Sequence, residues 1–183
     1  MGTFGVWFRS GTAALRRRER SAVARHTTPV TPDVVRLALR HALRDRCDAA
    51  LRDDSAVRDP AAFDTAVRQL AASLPFPVHV TVDDVPLTPA VASAAYAVIC
   101  EALANVVGHA EARRAIVTVR RHGPTVQLSV TDDGSGGAQP VIGGGIVVLA
   151  ARVAALGGML HVDSPPGSGT HVTVELPYTT RER

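Results

Sequence analysis

The sequence of 183 residues contains no lysine, so all of its formal positive charge comes from arginine. Without lysine the chain cannot contain a P-loop, because the lysine of that motif reaches the terminal phosphates of a nucleotide. Any nucleotide phosphates must instead be held by backbone N–H groups, by arginine or by a metal ion. The net charge of +3 is compatible with an anionic partner but does not indicate which kind of partner that is.

Aromatic residues and cysteines are also scarce. Aromatics make up 4% of the chain and hydrophobic residues 46%, so the core must consist mainly of alanine, valine and leucine. Cys47 and Cys100 form neither a CxxC pair nor a metal-type cluster, and we expect two reduced thiols in a cytoplasmic protein. No uninterrupted apolar run reaches the roughly 18 residues of a membrane span. We therefore expect no span in this chain, and membrane association only if it is a fragment of a longer sensor.

Composition and periodicity divide the chain into segments. Residues 1–30 are basic and irregular, and we expect them to be poorly ordered. The sequence Thr31-Pro32-Asp33 favours the start of a helix that extends past Leu43, because threonine caps, proline suits the first helical position and aspartate the positive end of the dipole. The domain proper is predicted over 61–178, followed by a tail at 179–183.

Within 61–178 the patterns alternate between helix and strand. Helices are predicted at 61–74, from Thr88-Pro89 to about Ala110, and at 146–156 before Gly157-Gly158. Strands are predicted at 78–82, 116–121, 126–130, 160–162 and 172–176. This order predicts an α+β fold: a two-layer α/β sandwich with the helices on one face of a mixed, mostly antiparallel sheet.

The long helix carries a polar stripe. Glu101, Asn105 and His109 recur at four-residue intervals, which places them on one face, one turn apart. A carboxylate and an amide oxygen in line can hold a hard cation such as Mg²⁺, directly or through its waters. The alternative interpretation is a solvated polar stripe.

Three glycine-rich segments follow. Asp132-Asp133-Gly134-Ser135-Gly136 comes directly after a strand, where an aspartate can accept a hydrogen bond from an exocyclic amine such as that of adenine, although an ordinary turn uses the same residues. Gly143-Gly144-Gly145 opens a helix and offers N–H groups to phosphate, or is a flexible linker. Gly167-Ser168-Gly169-Thr170 precedes the last strand, where a hairpin turn needs no further function.

In this order and spacing the four segments resemble the boxes of the Bergerat-fold ATPases, the superfamily of gyrase, Hsp90, MutL and histidine kinases. The match is to the ATP-binding catalytic domain of sensor histidine kinases of the NarX/DesK type, over about residues 61–178. The run Arg152-Val-Ala-Ala-Leu-Gly-Gly158 is typical of that family.

The resemblance implies ATP and Mg²⁺ as cofactors and assigns roles by position. Glu101 would be the general base or polarising group near the γ-phosphate and would reach Mg²⁺ through water, while Asn105 would coordinate Mg²⁺. Asp132 would bind the adenine amine above Gly134 and Gly136. The other implied ATP-binding residues are His109, Ala110, Gly143, Gly145, Ile146, Gly169 and Thr170.

Two departures limit the resemblance. Gly108 stands where the family usually has lysine or arginine, which removes one phosphate-facing charge. Neither His26 nor His41 is followed by an acidic residue, as a phosphoacceptor histidine would be. The segment 31–60 is therefore predicted as a helical extension or the degenerate remnant of a dimerisation hairpin.

The leading hypothesis is a histidine kinase catalytic domain that positions ATP for phosphoryl transfer to histidine. The implied partners are a response regulator or a chain bearing the acceptor helix, with homodimerisation possible in principle and no nucleic acid expected. The alternatives are a nucleotide-binding regulatory module without kinase activity and a serine kinase of the anti-sigma-factor type.

Overall fold

The computed structural model describes residues 31–52, 57, 59–109, 111–138 and 144–178. The predicted basic segment 1–30 and the tail 179–183 lie outside them. The described residues from Val35 onward belong to one compact unit. The elements in chain order are α1 (Pro32–Arg52), α2 (Pro60–Ala72), β1 (Val78–Val82), α3 (Pro89–His109), β2 (Ala115–His122), β3 (Thr125–Asp132), α4 (Gly145–Ala155), β4 (Met159–Asp163) and β5 (Thr170–Pro177).

The five strands form one mixed sheet in the order β1-β2-β3-β5-β4. β1 runs parallel to β2, and the other three pairs are antiparallel. The β2–β3 hairpin turns at Gly123-Pro124, where Gly123 has a φ of 59° that suits glycine. The prediction of a mostly antiparallel mixed sheet is confirmed.

One face of the sheet forms the core. Side chains along β2 and β3 alternate, with Val117 and Leu128 buried while Ile116, on the opposite face, is 41% exposed. The buried face meets α3, whose Ile99 and Leu103 are inaccessible to solvent. The helices contact the sheet from this one face, which gives the two-layer sandwich that the sequence predicts.

The apolar character of α3 follows from its place in this core. By length and composition alone, Pro89–Gly108 would be apolar enough to cross a bilayer, but 78% of that window is buried inside the fold. That degree of burial is typical of the central helix of a globular domain.

A disulfide joins Cys47 of α1 to Cys100 of α3, with the two Cα atoms 6.0 Å apart. The expectation of two reduced thiols is therefore wrong for this structure. The pairing is not visible in the sequence because the cysteines are 53 residues apart and meet only when the two helices pack. On α1, Leu43 and Cys47 are buried while Leu37 remains 51% exposed.

Candidate functional site

Glu101 lies midway along α3 and pairs with an arginine of α1. Arg44 donates from Nε to Glu101 Oε2 at 3.1 Å and from Nη2 to Oε1, so the contact is bidentate. The Glu101 side chain is 12% exposed and that of Arg44 37%. Both carboxylate oxygens of Glu101, which are predicted to act near the γ-phosphate, thus accept hydrogen bonds from the guanidinium of Arg44.

One turn further along α3, Asn105 has a second arginine partner. Arg40 Nη2 donates to Asn105 Oδ1 over 2.9 Å. The side chain of Arg40 also lies over Gly108, since a Cβ atom built on that glycine would be 2.8 Å from Arg40 Cδ. Burial lowers the pKa of Arg40, and the neighbouring charge of Arg44 lowers it further, while Glu101 acts in the opposite direction.

These contacts form an arginine ladder, which we define as Arg36, Arg40 and Arg44 of α1. Arg36 Nη1 lies 3.3 Å from Glu111 Oε1, just beyond the end of α3. Sequence reasoning missed the ladder because arginines on a helix are usually solvated. The available signal was their four-residue spacing, which matches that of the polar stripe on α3.

The N-terminus of α4 also approaches Glu101. The N-cap residue of α4 is Gly144, which has no side chain to accept hydrogen bonds from the first turn. A Cβ atom on Gly145 would collide with the Glu101 carboxylate, so any larger residue there would have to displace that side chain. One end of the candidate site is therefore formed by Glu101, Asn105, Gly145 and the first turn of α4, with the half-buried Ile146. The resemblance assigns this end to the phosphates, and we call it the phosphate end.

Asp132 defines the other end, at the last residue of β3. It is 7% exposed and is the buried charged residue among those that the structure describes. Its Oδ1 accepts from the Gly134 N–H over 2.8 Å. Burial raises the pKa of Asp132, and hydrogen bonds from Gly134 and from the backbone and hydroxyl of Thr170 partly oppose that rise.

Thr170 and two glycines hold the backbone around Asp132. Thr170 is the register partner of Asp132 in the β3–β5 pair. Gly136 and Gly169 have φ values of 60° and 76°. A Cβ atom on Gly136 would meet the carbonyl oxygens of Pro165 and Gly169, and one on Gly169 would meet the backbone of Asp132. Five residues thus lie together: Asp132, Gly134, Gly136, Gly169 and Thr170. The resemblance assigns this end of the candidate site to adenine, and we call it the adenine end.

Two further residues support the adenine end and were missed in the sequence. Ser164 Oγ lies 3.0 Å from Thr170 Oγ1. Asp133 Oδ1 accepts from the backbone N–H groups of Arg113 and Arg114 over 2.8 and 3.0 Å. Asp133 was visible as the second aspartate of the motif, whereas no motif marks Ser164.

The family-typical run 152–158 has a positioning role. Arg152 Nη2 donates to Ser93 Oγ over 2.8 Å, which ties α4 to α3. Val153 is fully buried. Gly157 ends the helix with a φ of 76°, and Gly158 lies so close to β5 that a Cβ atom would meet the Glu175 backbone.

The donor chemistry at the phosphate end fits a Mg²⁺ ion only in part. Among the described residues no group of three or more His, Cys, Asp or Glu side chains could hold a metal. One amide and one carboxylate oxygen suit Mg²⁺ when phosphates and water complete its octahedron. His109 is the last residue of α3, and the implied ligands Ala110 and Gly143 lie outside the described residues.

Comparison with known proteins gives one family. Histidine kinase-, DNA gyrase B-, and HSP90-like ATPases match residues 90–180. The sensor histidine kinase YxjM of Bacillus subtilis strain 168 is 27% identical over 111 residues, which are 58% of this chain and 27% of that protein. This chain thus spans well under half the length of that relative.

Solved structures share the fold. The histidine kinase domain of a blue-light activated histidine kinase from Erythrobacter litoralis EL346 has a TM-score of 0.51 at 21% identity and covers 91% of this chain and 84% of that domain. Another structure of that kinase has a TM-score of 0.54 at 18% identity, covering 93% of this chain and 63% of the other.

Proposed function

We propose that this chain binds ATP with Mg²⁺ and presents the γ-phosphoryl group to a histidine on another polypeptide. The proposal starts from residues 90–180, which belong to the histidine kinase-, DNA gyrase B-, and HSP90-like ATPase family and form an ATP-binding domain of the sensor histidine kinase type. The observation that carries the proposal is the adenine end. There a buried carboxylate, Asp132, accepts a hydrogen bond from the Gly134 N–H and interacts with Thr170, beside glycines that admit no Cβ atom.

Each end of the site has a distinct task. Asp132 accepts a hydrogen bond from the exocyclic amine of adenine, which guanine cannot supply at that position because it carries a carbonyl there. The first turn of α4 directs backbone N–H groups at phosphate oxygens. Asn105 holds Mg²⁺, which supplies charge neutralisation to the phosphates, and Glu101 polarises the attacking group. Catalysis of this kind depends on positioning and electrostatics.

Glu101 can act only after its two oxygens part from Arg44, with which it is paired bidentately. This pair favours a second candidate function, a nucleotide-binding regulatory module in which Glu101 is permanently neutralised. The first candidate requires that nucleotide or partner binding breaks the pair. We propose a response regulator or a chain that carries the acceptor helix as partner.

The decisive test separates binding from transfer. Isothermal titration of the chain with ATP, with and without Mg²⁺, should give binding that depends strongly on the metal, and Asp132→Ala should let GTP compete as well as ATP. Transfer is then measured with labelled ATP and acceptor hairpins of sensor kinases supplied in trans. Binding without transfer to any histidine would support the regulatory module, and absence of ATP binding would refute both.

A further inference from the structure

We infer that Arg40 of α1 is the phosphate-binding cation of this chain and that Gly108 provides the space through which it reaches the site. The inference rests on the proposed function. It assigns to the helical extension α1 a direct part in holding the nucleotide, although residues 90–180 alone match the ATPase family.

The site needs a cation from outside residues 90–180. The chain has no lysine, and the side chains assigned to the nucleotide at the two ends of the site are anionic or neutral: Glu101, Asn105 and Asp132. Arg114, beside the adenine end, is paired with Asp133. A triphosphate brought among them is repelled unless a positive side chain accompanies the metal. The guanidinium groups that contact Glu101 and Asn105 both come from α1.

Arg40 has the better geometry of the two. Arg44 is engaged at both oxygens of Glu101, whose side chain is 12% exposed, so it can hold a phosphate only once that pair has broken. Arg40 instead donates to a neutral amide oxygen of Asn105, the residue assigned to Mg²⁺. When Mg²⁺ takes that oxygen, the planar fork of the guanidinium can turn to phosphate oxygens without leaving a buried charge behind.

Gly108 is the structural counterpart of Arg40. Because a Cβ atom at residue 108 would lie 2.8 Å from Arg40 Cδ, any larger residue there would have to displace the arginine. The Arg40 side chain of α1 thus occupies the space that a side chain at residue 108 of α3 would fill. Burial and the charge of Arg44 both disfavour a positive charge on Arg40, and an arriving anion relieves that penalty.

The disulfide holds this arrangement in place. Cys47 lies one turn beyond Arg44 on α1, and Cys100 immediately precedes Glu101 on α3. The bond therefore fixes the two helices beside these contacts, so the backbone that carries Arg40 does not have to be ordered when the nucleotide binds.

A charge-relocation experiment on the full chain tests the inference. Affinities for ATP with Mg²⁺ and for adenosine are measured for the wild type, Arg40→Gln and the double variant Arg40→Gln/Gly108→Arg. We expect Arg40→Gln to weaken ATP about tenfold or more, the usual effect of losing a hydrogen bond to a charged group, and to leave adenosine within about twofold. The double variant should recover most of the ATP affinity, because the charge returns from position 108.

Arg36→Gln is the matched control, since it removes the same charge from the same face of α1, one turn earlier, at an exposed pair. It should change ATP affinity less than about twofold. Unchanged or increased ATP affinity in Arg40→Gln would overturn the inference, as would an equal loss for adenosine or an equal loss in the control. Failure of the wild type to bind ATP or adenosine would instead refute the proposed function, and this inference with it.

Discussion

At the scale of single residues, Asp132 stands out because burial disfavours its negative charge, which the proposed contact with adenine requires. Burial raises its pKa above the ordinary value for aspartate, about 3.9. The folded protein therefore binds a proton more readily than the unfolded chain in the interval between the two values, so ionisation of Asp132 works against stability as the pH rises through it. In the proposed function, a hydrogen bond donated by adenine would compensate the buried carboxylate.

The affinity for ATP should consequently depend on pH through Asp132. As the pH is lowered through the raised pKa, the carboxyl group takes up a proton and loses an acceptor position, so affinity falls at a pH above that expected for a free aspartate. Binding is measured by titration calorimetry across pH. Asp132→Asn, measured in the same buffers, corrects for protonation of ATP itself, and identical pH profiles for the two proteins would contradict the assignment.

A second prediction at this scale concerns Glu101. Glu101→Gln keeps the shape of the side chain and removes its charge. If Glu101 polarises the attacking group, nucleotide affinity should stay within a few-fold while phosphoryl transfer to a supplied acceptor falls by roughly 10²-fold or more. A collapse of affinity with unchanged transfer per bound ATP would identify Glu101 as a binding residue only.

The sequence predicts some of these residues and conceals others for a physical reason. Gly136 and Gly169 can be identified from the sequence because their constraint is local: a positive φ and a close backbone approach. Arg40 and Arg44 cannot, because their partners Asn105 and Glu101 are 65 and 57 residues away and depend on how two helices pack. Periodicity tells which residues share a face but not what that face meets.

At the scale of elements, strand alternation predicts the sheet well, since β2 and β3 bury every second residue. The helices are predicted in place and nearly in length. Periodicity does not predict which face of α1 packs against the rest of the domain. The contact face combines arginines with Leu43 and Cys47, while apolar residues such as Leu37 are exposed.

The attachment of α1 to α3 gives an element-scale prediction. Removing the disulfide with Cys47→Ser/Cys100→Ser frees a loop of 53 residues, which in the chain-entropy account costs about 4 kcal/mol. The thermal midpoint should fall by about 10 °C, given the usual slope for a domain of this size.

The control for this prediction is the reductant. Dithiothreitol should lower the midpoint of the wild type and leave that of the double serine variant unchanged. Thiol titration of the denatured wild type without reductant should find no free thiol. Two titratable thiols together with an unchanged midpoint would show that the cysteines are not paired in solution.

At the scale of the whole molecule, the chain lacks an evident phosphoacceptor. His41 is exposed on α1 and is followed by Ala42, and His26 lies outside the described residues. Because neither histidine is followed by an acidic residue, we keep the proposal that the acceptor helix is supplied by another polypeptide.

We accordingly predict that the isolated chain binds ATP but does not label itself on histidine with [γ-³²P]ATP and Mg²⁺. The measurement is the acid lability of any protein-bound label. Strong acid-labile, alkali-stable label on the wild type that disappears in His26→Gln or His41→Gln would overturn the prediction and identify that histidine as the acceptor.

The central position of α3 has a consequence for the timescale of motion. Its Val98, Ile99 and Leu103 are inaccessible to solvent, so the amide hydrogens of this helix should exchange with deuterium only when the whole domain unfolds. Glu101 and Asn105 then keep their positions as long as the domain is folded, and the site can open only through its neighbours. Deuterium uptake should stay slow over 98–105 in oxidised and reduced protein alike, and should accelerate over 36–44 once the disulfide is reduced.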